Sequence, residues 1–579
     1  MVKMPLHAVA ALAALSMIVP AAARQERGEE PAAPVFAERV EVEIVNLDVV
    51  VTDRRGEPVT GLTREDFTLR VDGEPTTIDN FYVVEPEGAR TETPAPAPAS
   101  PAAPQPPAPP SAAAPATEQD LHLMILFDAR RATPGEQKRV TRQLAAALEG
   151  GLQGRGAVGY YDGGIKLNQP FTSDGAALAS AIRDMADLEV GSYTEAFELR
   201  NLLRDLEENT GGQDALATIQ FYAERQAAET MRTLEALSGQ VDALAGLPGR
   251  KMLLYVSGGL DLKPGEALLT AARIRSGGVG PRRLGGPAAP LERASGLPNL
   301  TAALRELTDR ANSGRVVFYA IATGAASFGP VLGPEYQGST GSNFWSPATE
   351  TMLRAGLGSG LEMMAEVTGG DALTRSDNYD LMGEWLERDA GHVYSLGFRA
   401  PEGQPGRSHR VKVDVPGRGG LTVRHRESFG VATPVERASE RTLAALLWGQ
   451  ADNPLGIAAE PLPAERSGED RDLVVLPVLV KAPFANLTLL PDGEVHRGRI
   501  TILVVAEDAE GRLSEVQTVE AAIAIPADRL DQALAGVAGY RVGLLLRPGP
   551  HRLGIGVRDE VGNVVATLIL EHDVAAPPR

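Results

Sequence analysis

Two apolar patterns divide the chain. Through residues 119–390, short uninterrupted apolar runs alternate with stretches whose apolar residues recur every three or four positions. Leu121–Phe127, Met252–Val256 and Val316–Ile321 are such runs, the pattern of parallel strands buried on both faces. Between them, Val140, Leu144 and Leu148 form one helical stripe. Ile219, Tyr222, Met231, Leu234, Leu237, Val241 and Leu244 form another. Leu361–Val367 and Tyr379–Asp389 read as shorter helices, and 322–349 as a long polar, Gly-rich loop. On either side the period changes to two. Val40–Val45, Asn46–Thr52, His409–Val415 and Leu421–Arg426 alternate as half-exposed antiparallel strands. Asp72-Gly73 is a hairpin signal, with Ile78–Val84 expected as the returning strand.

These patterns predict an α/β, Rossmann-like region at 119–390, flanked by β segments at 36–88 and 391–432 that pair with each other. Each flanking piece alone has too few strands for a stable sheet. Residues 89–118 are rich in proline and alanine and read as an extended tether. A helix and linker fill 433–471, and residues 472–575 show evenly spaced strands with turn signals between them, as in an Ig-like β-sandwich. Residues 1–23 have the form of a secretory signal, with Lys3, an apolar stretch Ala8–Val19 and the small residues Ala21-Ala22-Ala23. No later stretch is long and apolar enough to span a bilayer, so a periplasmic or secreted protein is expected.

Composition narrows the chemistry. The chain has 579 residues and a formal net charge of −20, which argues against a nucleic-acid partner. It has no cysteine, so thiol nucleophiles, disulfides and zinc–cysteine sites are excluded. The histidines are scattered, without helical metal-ligand spacing.

The carboxylate of Asp128 closes the first apolar run, at the strand end where open α/β sheets bind ligands. That order of elements resembles the von Willebrand factor type A domain. Further stretches recur in order: Asn46–Asp53 with Gly56, Gly61–Phe67 and Asp72-Gly73, then Leu247–Lys251 ahead of Ser257-Gly258-Gly259. Thr368-Gly369-Gly370, Tyr394–Phe398, His409–Val413 and Val423–Arg426 complete them. With these the chain more closely resembles the secreted VWFA-related domain proteins common in acidobacteria. Type A domains often hold a magnesium ion in Asp-x-Ser-x-Ser, with a threonine and a second aspartate from neighbouring loops. Here Asp128 is present, the serine positions fall on Arg130 and Ala132, the threonine on Thr194 and the second aspartate on Gly258, with Asp261 three residues on.

The resemblance therefore implies a degenerate metal site. No metal or other cofactor is expected; if Mg²⁺ is held, Asp128 and Thr194 hold it. Asp128 either pairs with Arg130 or Arg131, a guanidinium standing in for the metal charge, or caps the next turn. The implied function is that of an exported, non-enzymatic protein-binding or adhesion protein. Its expected partner is an extracytoplasmic protein, met at a face near Asp128, Arg130, Arg131, Thr194, Ser257 and Asp261. A cell-envelope scaffold without a specific ligand is the alternative. A hydrolase using Ser257 is a further one, weakened because Tyr255 stands where a nucleophile elbow needs glycine.

Overall fold

The computed structural model of the chain describes residues 44–84, 121–131, 134–150, 152, 154–188, 198–199, 201–206, 212–275, 296–323, 346–376, 378–401, 406–467 and 473–575. They form two compact units, one from residues 43–241 and 248–431, the other from 242–247 and 432 onward. The expected signal (1–23) and tether (89–118) lie outside the described residues.

The first unit begins with strands β1 (Ile44–Thr52), β2 (Thr68–Val71), β3 (Glu74–Thr76) and β4 (Asn80–Val84). Asp72 and Gly73 both have positive φ, 51° and 89°, as a two-residue primed hairpin turn requires. Such a turn sets the next residue directly opposite the first strand, so Val71 pairs with Glu74. The returning strand is therefore β3, not the expected Ile78–Val84. Strand β4 instead joins another sheet.

The α/β region follows in the order β5 (Leu121–Asp128), α1 (Pro134–Leu148), β6 (Arg155–Tyr161), β7 (Ile165–Thr172), α2 (Gly175–Asp184) and α3 (Gly212–Ala245). It continues with β8 (Arg250–Ser257), α4 (Glu266–Arg275), α5 (Thr301–Ser313), β9 (Val316–Ala322), α6 (Pro347–Thr368), β10 (Ala372–Leu373) and α7 (Asp380–Gly391). The sheet order is β10-β9-β8-β5-β6-β7, parallel except for the edge strand β7. Counted from β5 outward, this is the doubly wound Rossmann order. Leu121, Leu123, Ile125 and Phe127 share one core with Val140, Leu144 and Leu148 of α1, Leu178 and Ile182 of α2, and Met382 and Leu386 of α7. Met124 and Leu126 alternate with them and are also fully buried, on the opposite face.

Helix α6 starts at Pro347, far ahead of the expected Leu361, and takes in the end of the expected loop. Ser346 caps it by accepting the Thr349 N–H at 3.1 Å, and Gly369 ends it in the left-handed conformation. Its glycines disguise it, yet one serves packing. A Cβ on Gly360 would lie 2.3 Å from the Leu260 carbonyl oxygen.

The unit closes with β11 (Val393–Arg399), β12 (Ser408–Asp414), β13 (Thr422–Arg424) and β14 (Ser428–Gly430). These return to the first four strands. One sheet runs β13-β1-β11-β4, the other β14-β12-β2-β3. Leu47 sits opposite Leu396, and Leu69 opposite Val413. Leu47, Val49, Phe67, Tyr394, Phe398 and Phe429 fill a core common to both sheets. The α/β region is thus inserted between β4 and β11.

The second unit opens with α8 (Pro434–Trp448), where Thr433 and Glu436 form a reciprocal capping box. Residues 449–471 are not a plain linker. They contain β15 (Ala458–Pro461) and β16 (Glu465–Arg466), which pair along the edge of the long β17 (Val474–Pro483). The chain goes on through β18 (Leu490–Asp492), β19 (Val495–Asp508), β20 (Gln517–Pro526), β21 (Val537–Leu546), β22 (Gly549–Asp559) and β23 (Val564–Val574). Strands β15, β16, β17 and β21 make one antiparallel sheet, and β18, β19, β20, β22 and β23 the other. Val478, Val480, Val542, Ile502, Val504 and Ile555 meet in one core between them. Leu503 and Val505 of β19 face the other way and pack on α8, which explains why β19 is buried on both faces there.

Candidate functional site

Asp128 ends β5, and Ser257 ends its parallel neighbour β8. The register places Leu126 beside Tyr255 and Phe127 beside Val256, so the last carboxylate faces the last hydroxyl. Tyr255 and Ser257, two residues apart, share a side of β8. The Tyr255 hydroxyl donates to Asp128 Oδ2 at 2.6 Å and Ser257 Oγ donates to the same oxygen at 2.9 Å. Asp128 Oδ1 accepts the backbone N–H of Arg130 at 3.1 Å. All three side chains are fully buried. Burial, reinforced by the Asp128 charge, pushes the Tyr255 phenol well above its ordinary range, so it stays a donor.

The expected ion pair of Asp128 with Arg130 or Arg131 is replaced by this hydroxyl knot, and the carboxylate also caps the turn after β5. Each guanidinium has another place. Arg130, 43% exposed, lies 3.9 Å from Glu229. Arg131 is buried, donating to the Gly259 carbonyl at 3.2 Å and to Thr230 Oγ1 at 2.9 Å. The position of the missing second aspartate is closed, since a Cβ on Gly258 would sit 1.7 Å from the Arg131 carbonyl oxygen. Asp261 accepts the Lys263 N–H at 2.9 Å, and burial raises its carboxyl above the usual range. Thr194 lies outside the described residues. The structure therefore brings Asp128 and Ser257 together, sets Arg131 beside them, and keeps Arg130 at the surface.

A second polar cluster lies at the opposite, amino-terminal ends of β8 and β9. Asp389 is fully buried; its carboxylate accepts from Arg388 Nε, the Tyr319 hydroxyl and Arg424, each at 2.6 Å. Burial alone would raise its pKa, but the hydrogen bonds from Arg388 and the charge of Arg424 hold it below the ordinary carboxylate range. Asp48 of β1 stands 3.5 Å from Arg250 and 3.8 Å from Arg315. Arg426 donates to the backbone carbonyls of Asn312 at 2.6 Å and Asn46 at 2.8 Å. Burial, with Arg315 beside it, pushes Arg426 down to about 9. Asp48, Arg250, Arg315, Tyr319, Arg424 and Arg426 line a cavity of about 40 Å³. Asp48, Arg250, Arg424 and Arg426 fall in stretches that carry the family likeness, yet no spacing joins them to one another, to Arg315 before β9 or to Asp389 of α7 as one site. A separate open cavity of about 750 Å³ lies beside β10, lined by Glu362, Glu366, Asp371 and Trp385 among others.

No family model matches the chain, and no curated protein matches it. Solved structures similar to it include an aerotolerance-related membrane protein from Bacteroides fragilis, 10% identical over 47% of this chain and 98% of that one, with a TM-score of 0.21. A von Willebrand factor type A protein from Catenulispora acidiphila is also 10% identical, over 79% of this chain and 66% of that one, with a TM-score of 0.18. Three N-terminal domains of a type V pili tip protein from Porphyromonas gingivalis are 9% identical, over 78% of this chain and 70% of that one, with a TM-score of 0.19.

Proposed function

We propose that this is an exported, non-enzymatic protein-binding protein whose Rossmann-like region presents a metal-independent face to an extracytoplasmic protein. The supporting observation is the Asp128–Tyr255–Ser257 knot. Open α/β sheets bind ligands outside the carboxyl ends of their strands, where the order reverses, here between β5 and β8. At that point the polar atoms are buried and spent on one another. The donor set does not fit a magnesium ion. Arg130 and Ala132 supply no hydroxyl oxygen, and Gly258 has no room for a carboxylate. Ser257 has its hydroxyl turned to a buried carboxylate, which suits a structural role rather than a nucleophile.

What remains at the surface over the switch point includes Arg130 and Lys263, 43% and 53% exposed. Loops on a rigid sheet are the usual place for binding residues. The signal-like 1–23 segment supports export to the periplasm or beyond, and no helix among the described residues is long and apolar enough to cross a membrane. The two antiparallel sheets of the second unit, sharing one core, support an Ig-like sandwich serving as a second adhesive or spacer module.

The test is site-specific photo-crosslinking in the producing cells, with the photoreactive residue at position 130 or 263. A discrete protein adduct that persists in EDTA is expected. A scaffold without a specific ligand would give none at either position, and that result would sink the reading.

A further inference from the structure

We propose that the cavity at the amino ends of β8 and β9 binds a small oxyanion, phosphate, sulfate or a carboxylate, between Arg315 and Arg426. This site is far along the strands from the Asp128 knot and does not depend on the protein-binding reading.

The cavity wall is cationic. Arg250, Lys251, Arg315, Arg424 and Arg426 line the cavity, and Asp48 is the carboxylate among the lining residues. Arg424 is matched by Asp389 behind it. Arg250 and Arg315 both lean on Asp48.

Arg426 is 8% exposed, and its terminal nitrogens donate to uncharged carbonyl oxygens, while the Asp48 charge that reaches it is shared with Arg250 and Arg315. Its Nε, also buried, has no hydrogen-bond partner. A buried guanidinium with an unused donor is strongly disfavoured unless an anion completes it. Oxyanions match the guanidinium fork in a planar, two-pronged way.

Arg315 occupies the residue after the α5 cap with φ of 58°, a left-handed position where glycine is the favoured residue. Strain of this kind persists where the surroundings demand a particular side chain. Here that side chain is the guanidinium at the cavity wall.

Size selects the ligand class. A space of about 40 Å³ holds a few water-sized groups. That suits an inorganic oxyanion or a single carboxylate.

The experiment uses the full chain in a chloride buffer. Phosphate, sulfate and acetate are titrated against sodium chloride of equal ionic strength, followed by thermal unfolding and by calorimetry. At least one oxyanion should raise Tm saturably, and the order of the three separates an inorganic anion from a carboxylate. Arg315→Gly should weaken that binding at least tenfold while its Tm without anion equals or exceeds that of the parent. Arg315→Asn, which also tolerates the left-handed backbone, should behave alike. If no oxyanion exceeds chloride, or if Arg315→Gly binds as the parent does, the proposal is wrong.

Discussion

Ser257 Oγ donates a 2.9 Å hydrogen bond to Asp128 Oδ2, tying the ends of the two central strands together at full burial. The same oxygen also accepts from Tyr255, so one carboxylate serves two hydroxyls and a backbone N–H. Removing it leaves buried donors without a partner. Asp128→Ala should therefore lower stability by about 2–4 kcal/mol, and Asp128→Asn by less. Chemical denaturation measures this. An unchanged midpoint for Asp128→Ala would show that the knot contributes nothing.

Ser257→Ala removes one donor and leaves the carboxylate two others. A loss of about 1 kcal/mol is expected, with no change in background hydrolysis of generic ester or peptide substrates. An activity present in the parent and absent in this variant would restore Ser257 as a nucleophile.

Gly258→Asp would place the carboxylate that a type A metal site uses. Its Cβ would fall 1.7 Å from the Arg131 carbonyl oxygen, so the turn after β5 must move. The variant should be destabilised by at least about 2 kcal/mol and gain no Mg²⁺ binding. Saturable Mg²⁺ binding by this variant would contradict the closed geometry.

His425 sets an acid limit. Its Nε2 accepts the Val413 N–H at 3.1 Å, while Nδ1 lies 2.7 Å from the Arg426 carbonyl and so carries the proton. Burial lowers its pKa below the ordinary 6.5. A depressed folded pKa gives stability that is present above the unfolded value and lost as pH falls through the folded one. The urea midpoint should thus decline below about pH 6.5, and His425→Gln should flatten that decline. Asp389, also depressed, acts lower, below its ordinary 3.8. A midpoint that does not change between pH 7.5 and 5 would refute the role given to His425.

Much of the fold was legible because burial on both faces leaves a strand no polar positions. Leu121–Phe127, interrupted by His122, and Met252–Val256 show this as apolar runs. Helix α6 was half hidden because Gly356, Gly358 and Gly360, poor helix formers in isolation, sit inside it, and of the three Gly360 is needed for close packing. The hairpin return was misplaced because Ile78–Val84 looks more like a strand than Glu74–Thr76; turn geometry, not apolarity, decides that pairing. At the candidate site, Asp128 was legible from its place at a strand end. Ser257 was legible with it, while Tyr255, two residues before Ser257 on the same strand face, was not read as its partner. Asp48, Arg250 and Arg426 fall in stretches that carry the family likeness, but nothing in the sequence joins them to one another or to Arg315, because they meet only through the fold.

The most direct test of the account is a calorimetric titration of Mg²⁺ and of Mn²⁺ into the full chain, beside Asp128→Asn. The closed knot predicts no saturable heat in either protein. Saturable binding in the parent that Asp128→Asn abolishes would mean that Asp128 is a metal ligand and that the strand-end site opens.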